Sequence, residues 1–235
     1  LEYIFHINIF TKEHVMARRT QAQLAETRQG IITAAKRLFA EKGFANTQIA
    51  EIATAAGIGM SAFYGQFEDK EALFLLIVNE MFNELHTGVL AVRRHMDIQS
   101  PLDSLLAIQR IYDLVFDTLD KHKQITLSAF RSGIASVPAL ETLYWGICDA
   151  VALEMGQDLA RSEQAGLIKV DSHRDMADAM VGMIQQLAHR MVREGSPTAH
   201  EAASVCTKFT LGALLISMPR ETMKQVLPLF AAMPT

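Results

Sequence analysis

From Gln21 to Lys42 apolar residues return at helical intervals, at Leu24, Ile31, Ala35, Leu38 and Phe39, while Arg28, Lys36 and Arg37 fall largely off that stripe. The period predicts an amphipathic helix of several turns with one face on a core. Gly43 ends it, as a glycine just past a helix does, and Phe44 can fold back as a hydrophobic anchor. In ANTQIAEIATAAG, Thr47 reads as an N-cap, Ile49, Ile52 and Ala53 form one face, and Gly57 closes the helix. A short helix from about Met60 to Phe67 follows, with Phe63 and Phe67 on its buried side. Asp69 then caps the long apolar run DKEALFLLIVNEMFNELHTGVL. Ala53 and Ala56 supply the small side chains that two steeply crossing helices need. Three short helices, the second and third joined by a tight glycine turn, predict a helix-turn-helix unit; an ordinary helical hairpin shares the spacing.

Beyond Leu90 the pattern stays helical, without repeats or low-complexity linkers. SPLDSLLAIQRIYDLVFDTLDKHKQ opens with a Ser-Pro helix entry, and VPALETLYWGICDAVALEMGQDLARSEQAG is a second long helix stopped by Gly166. The last pair covers SHRDMADAMVGMIQQLAHRMVREG and SPTAHEAASVCTKFTLGALLISM, separated by Gly195-Ser196-Pro197. The expected fold class is all-α: an N-terminal three-helix helix-turn-helix domain over 16–75, then a larger helical domain over 76–235. Residues 1–15 fit neither the following pattern nor a signal peptide, and are expected to be an upstream extension or remnant preceding a start at Met16.

Composition narrows the function. Half of the 235 residues are apolar and a fifth charged, enough for a substantial core. A formal net charge of −4 argues against a protein coated in positive charge, though not against a local basic patch. Cys148 and Cys206 lie far apart and outside metal-ligand spacing, as reduced thiols of a cytoplasmic protein would. The best apolar run, TLGALLISM, falls short of the roughly 18–20 residues that span a bilayer, so no membrane association is expected. No paired metal motif, phosphate loop or nucleophile elbow is present, which predicts no cofactor, no metal site and no enzyme. His86, His122 and His189 stand alone rather than as ligand sets.

The stretch TRQGIITAAKRLFAEKGFANTQIAEIATAAGIGMSAFYGQFEDKEALF resembles the DNA-binding domain of the TetR/AcrR family of transcriptional regulators. The matching positions are Leu38, Phe39, Gly43, Phe44, Thr47, Ile52, Ala53, Ala56, Gly57, Tyr64, Phe67, Lys70, Glu71 and Leu73. The departures are Gly59 in place of Ser or Thr, Ser61 near the usual Gly or Pro, and Gln66 in place of His. Glycine remains a tolerable N-cap.

The resemblance implies a sequence-specific regulator that binds a double-stranded DNA operator. Yet no cation lies between Lys42 and Lys70. From Met16 to Lys70 seven cations face five acids, a balance of about +2. Phosphate neutralisation must then come from the flanks, from Lys70 and from Arg18 and Arg19 on a mobile arm. Thr47, Tyr64 and Gln66 are expected to donate to phosphate oxygens. Ser61, Gln48 and Gln66 are expected to read base edges, and Met60 or Ala62 to touch thymine methyls. Phe63 and Phe67 are read as packing residues.

The resemblance also implies a homodimer through helices near 173–194 and 198–218, where Ala179, Met183, Leu187, Phe209 and Ala213 belong to an apolar stripe that an intramolecular face would produce equally. Finally it implies a cavity for a small-molecule effector that releases a repressor from DNA, with candidate lining residues Tyr112, Phe116, Phe130, Tyr144, Trp145 and Met176. A helical scaffold or adaptor that does not bind DNA specifically is the alternative that the thin charge balance keeps open.

Overall fold

The computed structural model describes residues 2–96, 100–131 and 138–231, and side chains within 21–96, 100, 102–129 and 138–228. Among them the chain is helical without a strand: α1 (Glu2–Lys42), α2 (Ile49–Ala55), α3 (Met60–Tyr64), α4 (Lys70–Arg94), α5 (Pro101–Lys121), α6 (Lys123–Arg131), α7 (Pro138–Gln164), α8 (His173–Glu194), α9 (Ala199–Ile216) and α10 (Arg220–Ala231). Two compact units divide between Ile77 and Val78, so α4 gives its first two turns to one and the remainder to the other.

In the N-terminal unit the predicted stripe of α1 is the core. Ile31, Ala35, Leu38 and Phe39 are buried, as are Ile52 and Ala53 of α2, Phe63 of α3, and Leu73 and Phe74 of α4. Phe39, Phe44 and Phe74 form an aromatic cluster, with centroids 4.7 Å apart for Phe44–Phe74 and 5.2 Å for the edge-on Phe39–Phe74 pair. Truncating such a buried ring costs about 3–5 kcal/mol, so Phe44 is the anchor that its place after Gly43 foretold. Gly57 sits at φ +69, a conformation open to glycine with little penalty, and lets the Ile58 amide close back on the Ala53 carbonyl at 3.0 Å.

Three details depart from the sequence reading. α1 runs on to Glu2, because no glycine or proline stands between Glu2 and Gln29 to stop it. Arg18 and Arg19 therefore lie on a helix and not on a mobile arm. α3 ends at Tyr64 instead of Phe67: Gly65 occupies the C-cap, although the Phe67 amide still bonds to the Phe63 carbonyl at 2.9 Å. α2 starts at Ile49 behind Gln48.

In the C-terminal unit α5 packs on α9 and α7 on α8. Tyr112, Val115, Phe116 and Leu119 of α5 join Met81 of α4, Met191 of α8, and Ala203 and Cys206 of α9 in one cluster. A buried polar bond ties α5 to α9, Tyr112 Oη to Thr210 Oγ1 at 2.7 Å; burial pushes the Tyr112 hydroxyl up to about 12. Ser100 caps α5 ahead of Pro101, accepting from the Asp103 amide at 3.2 Å. Gly88 admits α5 closely, since a Cβ there would stand 2.6 Å from a methyl of Leu114.

Candidate functional site

α3 is a short helix held from beneath. Phe63 at 0% and Phe67 at 5% exposure fix its underside, and Gly59 (φ −81, ψ 161) forms its N-cap. Its other side is open: Ser61 and Ala62 are exposed, Met60 is 41% and Tyr64 54% exposed. The Tyr64 ring meets Phe63 edge-on at 5.5 Å, which orients the hydroxyl without burying it. Gln48 is exposed at the head of α2, its amide donating to Glu51 Oε2 at 3.1 Å. Together Gln48, Met60, Ser61 and Tyr64 offer amide, thioether and hydroxyl groups on a cation-free surface. Such groups reach phosphate oxygens, base edges and thymine methyls by neutral contacts.

Two residues of the sequence-read site face inward instead. Thr47 is 1% exposed, and its hydroxyl is shared between the Gly43 carbonyl at 2.8 Å and the Leu38 carbonyl at 3.3 Å. It neither caps α2 nor presents a donor to DNA, because the open carbonyls ending α1 are nearer acceptors. Lys70 points its ammonium at the carbonyls of Phe44 (2.7 Å), Thr47 (2.8 Å) and Ala45 (3.4 Å), and over the Phe44 ring at 4.4 Å. Its three donors are committed within the unit. Burial also draws its pKa below the ordinary lysine value. In this arrangement Lys70 clasps the 44–47 loop, where the sequence reading gave it a phosphate contact.

Arg28, given no role in DNA contact from the sequence, is a second clasp. It donates to the Gln66 carbonyl at 3.0 Å and lies 4.4 Å over the Phe67 ring, holding the end of α3. Gln66 itself is half-buried. Lys42 pairs with Glu51 at 2.5 Å, which holds the Glu51 carboxyl below its usual value, helped by the Gln48 amide. The side chains of Arg18 and Arg19 lie outside the described residues.

The C-terminal unit encloses a cavity of about 380 Å³ between α4, α5, α6, α7 and α8, and a smaller one of about 130 Å³. Of the candidate lining residues, Tyr144 lines the larger and Tyr112 the smaller. Phe116, fully buried, belongs to the packed cluster, and Met176 packs beside Leu159 and Met180. Trp145 is 54% exposed, a correction: α7 carries apolar residues on more than one face, and the indole takes the outer one. The Phe130 side chain lies outside the described residues. Wall residues that went unnamed from sequence are Leu140, Val151 and Glu154 of α7, Arg93 of α4, and Ile184 and Gln185 of α8. Their signal is the helical spacing of four, four and three residues through Leu140, Tyr144, Cys148 and Val151, followed three residues on by Glu154.

On α9, Val205, Phe209 and Ile216 are 42%, 72% and 85% exposed, and Gly212 lies among them. Ala179 and Gly182 are exposed on α8. A Cβ added at Gly182 or Gly212 would meet nothing within 4 Å. Cys206, Thr210, Leu214, Met180 and Met191, from the same apolar stripe, are instead buried within the chain. Among the described residues no cluster suited to a metal ion occurs, and no helix is long and apolar enough to cross a membrane.

Comparison with known proteins places the exposed helix in context. Residues 31–77 match the family described as bacterial regulatory proteins, tetR family. The chain is 48% identical over 59 residues to the HTH-type transcriptional regulator AcrR of Shigella flexneri, a quarter of this chain and 27% of that one. It is 35% identical over 104 residues to the regulator TtgR of Pseudomonas putida, covering 43% and 49% of the two chains. These matches span about a quarter to a half of the length of those relatives. The fold extends further: the fatty acid degradation regulator FadR of Bacillus halodurans superposes with a TM-score of 0.63 at 17% identity, covering 80% of this chain and 96% of that one. NalD of Pseudomonas aeruginosa, the secondary repressor of the MexAB-OprM multidrug efflux pump, does so at 0.60 and 19%, covering 83% and 98%. Residues 31–77 thus match the tetR family of bacterial regulatory proteins, and the helical fold of the chain is that of these solved regulators.

Proposed function

We propose that this protein is a sequence-specific DNA-binding repressor that acts as a homodimer and leaves its operator when a small hydrophobic or aromatic molecule occupies the C-terminal unit. The observation that carries the DNA-binding reading is the exposure of Met60, Ser61 and Tyr64 on a helix anchored by buried Phe63 and Phe67. A helix packed for structure alone has no reason to leave a tyrosine and a methionine open to solvent on one side. The dimer reading is supported by the row Val205, Phe209, Gly212 and Ile216, a solvent-facing apolar stripe with small residues beside it. A two-fold dimer would present two recognition helices to two half-sites. The effector reading is supported by the cavity, whose volume suits a small organic ligand.

Selection of bound duplexes from a random pool tests the reading. A two-fold-symmetric motif is expected, bound with salt-dependent affinity and released by a compound that quenches Trp145. Trp145 reports indirectly, through Tyr144, whose ring centroid lies 5.3 Å from the indole and which lines the cavity. Failure to enrich any sequence, with the protein folded, would leave the scaffold alternative in its place.

A further inference from the structure

The 380 Å³ chamber has three basic or acidic side chains on otherwise largely apolar walls. Among the described lining residues they are His86, Arg93 and Glu154. Neither charge of the Arg93–Glu154 pair is left over. Glu154 gives one carboxylate oxygen to His86 Nε2 at 2.9 Å and the other to Arg93. Arg93, only 15% exposed, also reaches Asp158 at 2.9 Å, and Asp158 is held in turn by Arg161. Two carboxylates therefore face two guanidinium groups. Burial alone would raise the Glu154 carboxyl, but hydrogen bonds from Arg93 and His86 outweigh it and hold the group below its usual value. Its charge persists at neutral pH and is answered within the wall.

Of the other polar wall groups, Asn79 and Asn83 stand exposed and Thr126 donates to the His122 carbonyl at 3.1 Å. Gln185 donates to Cys148 Sγ at 2.9 Å, beside Tyr144, and these offer dipoles and not charge. The Arg93 Nε has no partner but is closed off from solvent, so an anion entering the chamber would meet Glu154 and could claim the exposed end of Arg93 only by displacing its carboxylates. A cation would meet Arg93 and could claim Glu154 only by stripping both its partners. Either ion would also lose part of its hydration without a free counter-charge, and breaking a partly buried pair carries a cost.

We propose that the chamber is charge-selective, accepting uncharged and largely apolar molecules, with the Arg93–Glu154 pair as the element that rejects ions of both signs. The proposal rests on the effector reading above. Two probes separate the charge from the shape: N-phenyl-1-naphthylamine and 1-anilinonaphthalene-8-sulfonate share a ring skeleton and differ by one sulfonate. Titrated into the full chain and followed by fluorescence, the neutral probe should bind at least about ten-fold more tightly. Equal affinities overturn charge selection. In Glu154→Gln the shape is kept and Arg93 loses one counter-charge; the sulfonate probe should gain several-fold while the neutral probe stays unchanged. No gain overturns the role of the pair, and the comparison on the unmodified chain stands whether or not the variant folds. Val151→Trp places an indole in the chamber and should abolish binding of the neutral probe. If neither probe binds the unmodified chain, or neutral-probe binding survives Val151→Trp, the effector reading itself fails, an outcome distinct from equal affinities.

Discussion

Lys70 has three carbonyls within reach of one ammonium, and its removal exposes the difference between a clasp and a phosphate contact. Lys70→Ala leaves the Phe44 and Thr47 carbonyls without their donor, a loss of about 1–3 kcal/mol in stability. Thermal or urea unfolding should register that loss while the salt slope of DNA binding stays unchanged; a slope lowered by one with stability intact would restore the phosphate role. Tyr64 carries the opposite expectation. Its ring is open and its underside touches Phe63, so Tyr64→Phe should leave stability alone and weaken all DNA sequences alike by about five-fold, one hydrogen bond's worth. Glu51 adds a pH dependence. Its pKa is lowered when folded, so the Lys42–Glu51 contribution is complete above the unfolded carboxylate value, about 4.3, and fades as pH falls through the lower folded one. The stability difference between the unmodified chain and Glu51→Gln should shrink over that acid range and be flat from pH 6 to 8. Thr47, Lys70 and Trp145 were not legible in sequence for one reason. Local spacing says which residues could face outward, whereas the choice among neighbouring carbonyls, or between two apolar faces, is made by packing.

The helices themselves were more legible, because many announce their ends, though the starts of α1 and α2 and the end of α3 did not. Gly43, Gly57, Gly166 and Gly195 all take positive φ at or near a helix end, and Asp69, Ser100 and Thr198 stand where caps belong. What spacing could not assign was the partner of each apolar face. Much of the α8–α9 stripe packs within one chain, and a smaller part, with Ala179, Phe209 and Ile216, faces solvent. A charge on the exposed part should separate two copies and leave each folded. Phe209→Glu and Gly212→Glu are expected to convert a dimer into a helical monomer with an unchanged unfolding midpoint for the isolated chain, as read by light scattering and circular dichroism. A monomer for the unmodified protein at micromolar concentration would remove the dimer from the proposal. Cys206 on the same helix makes a useful control, since it is buried and its thiol is pushed up to about 12; thiol reagents should ignore it in monomer and dimer alike.

At the scale of the molecule the decisive quantity is the small number of cations left to meet DNA. Arg28 and Lys70 hold the recognition helix and its loop, and Lys42 answers Glu51. Arg18→Ala with Arg19→Ala should therefore remove a large part of whatever salt slope exists, about one unit per lost phosphate contact, and the chain's net charge of −4 offers no substitute. The inward turn of those two clasps has a kinetic consequence. A regulator with few phosphate contacts has little to keep it on unrelated DNA, so it cannot slide far before it detaches. It must find its operator mainly by repeated encounters through solution. Association should then be nearly as fast on a short duplex as on the same operator embedded in a long fragment, and should change little with ionic strength. The same scarcity leaves the rest of the chromosome a weak competitor, so that a modest specific affinity suffices for occupancy of one site.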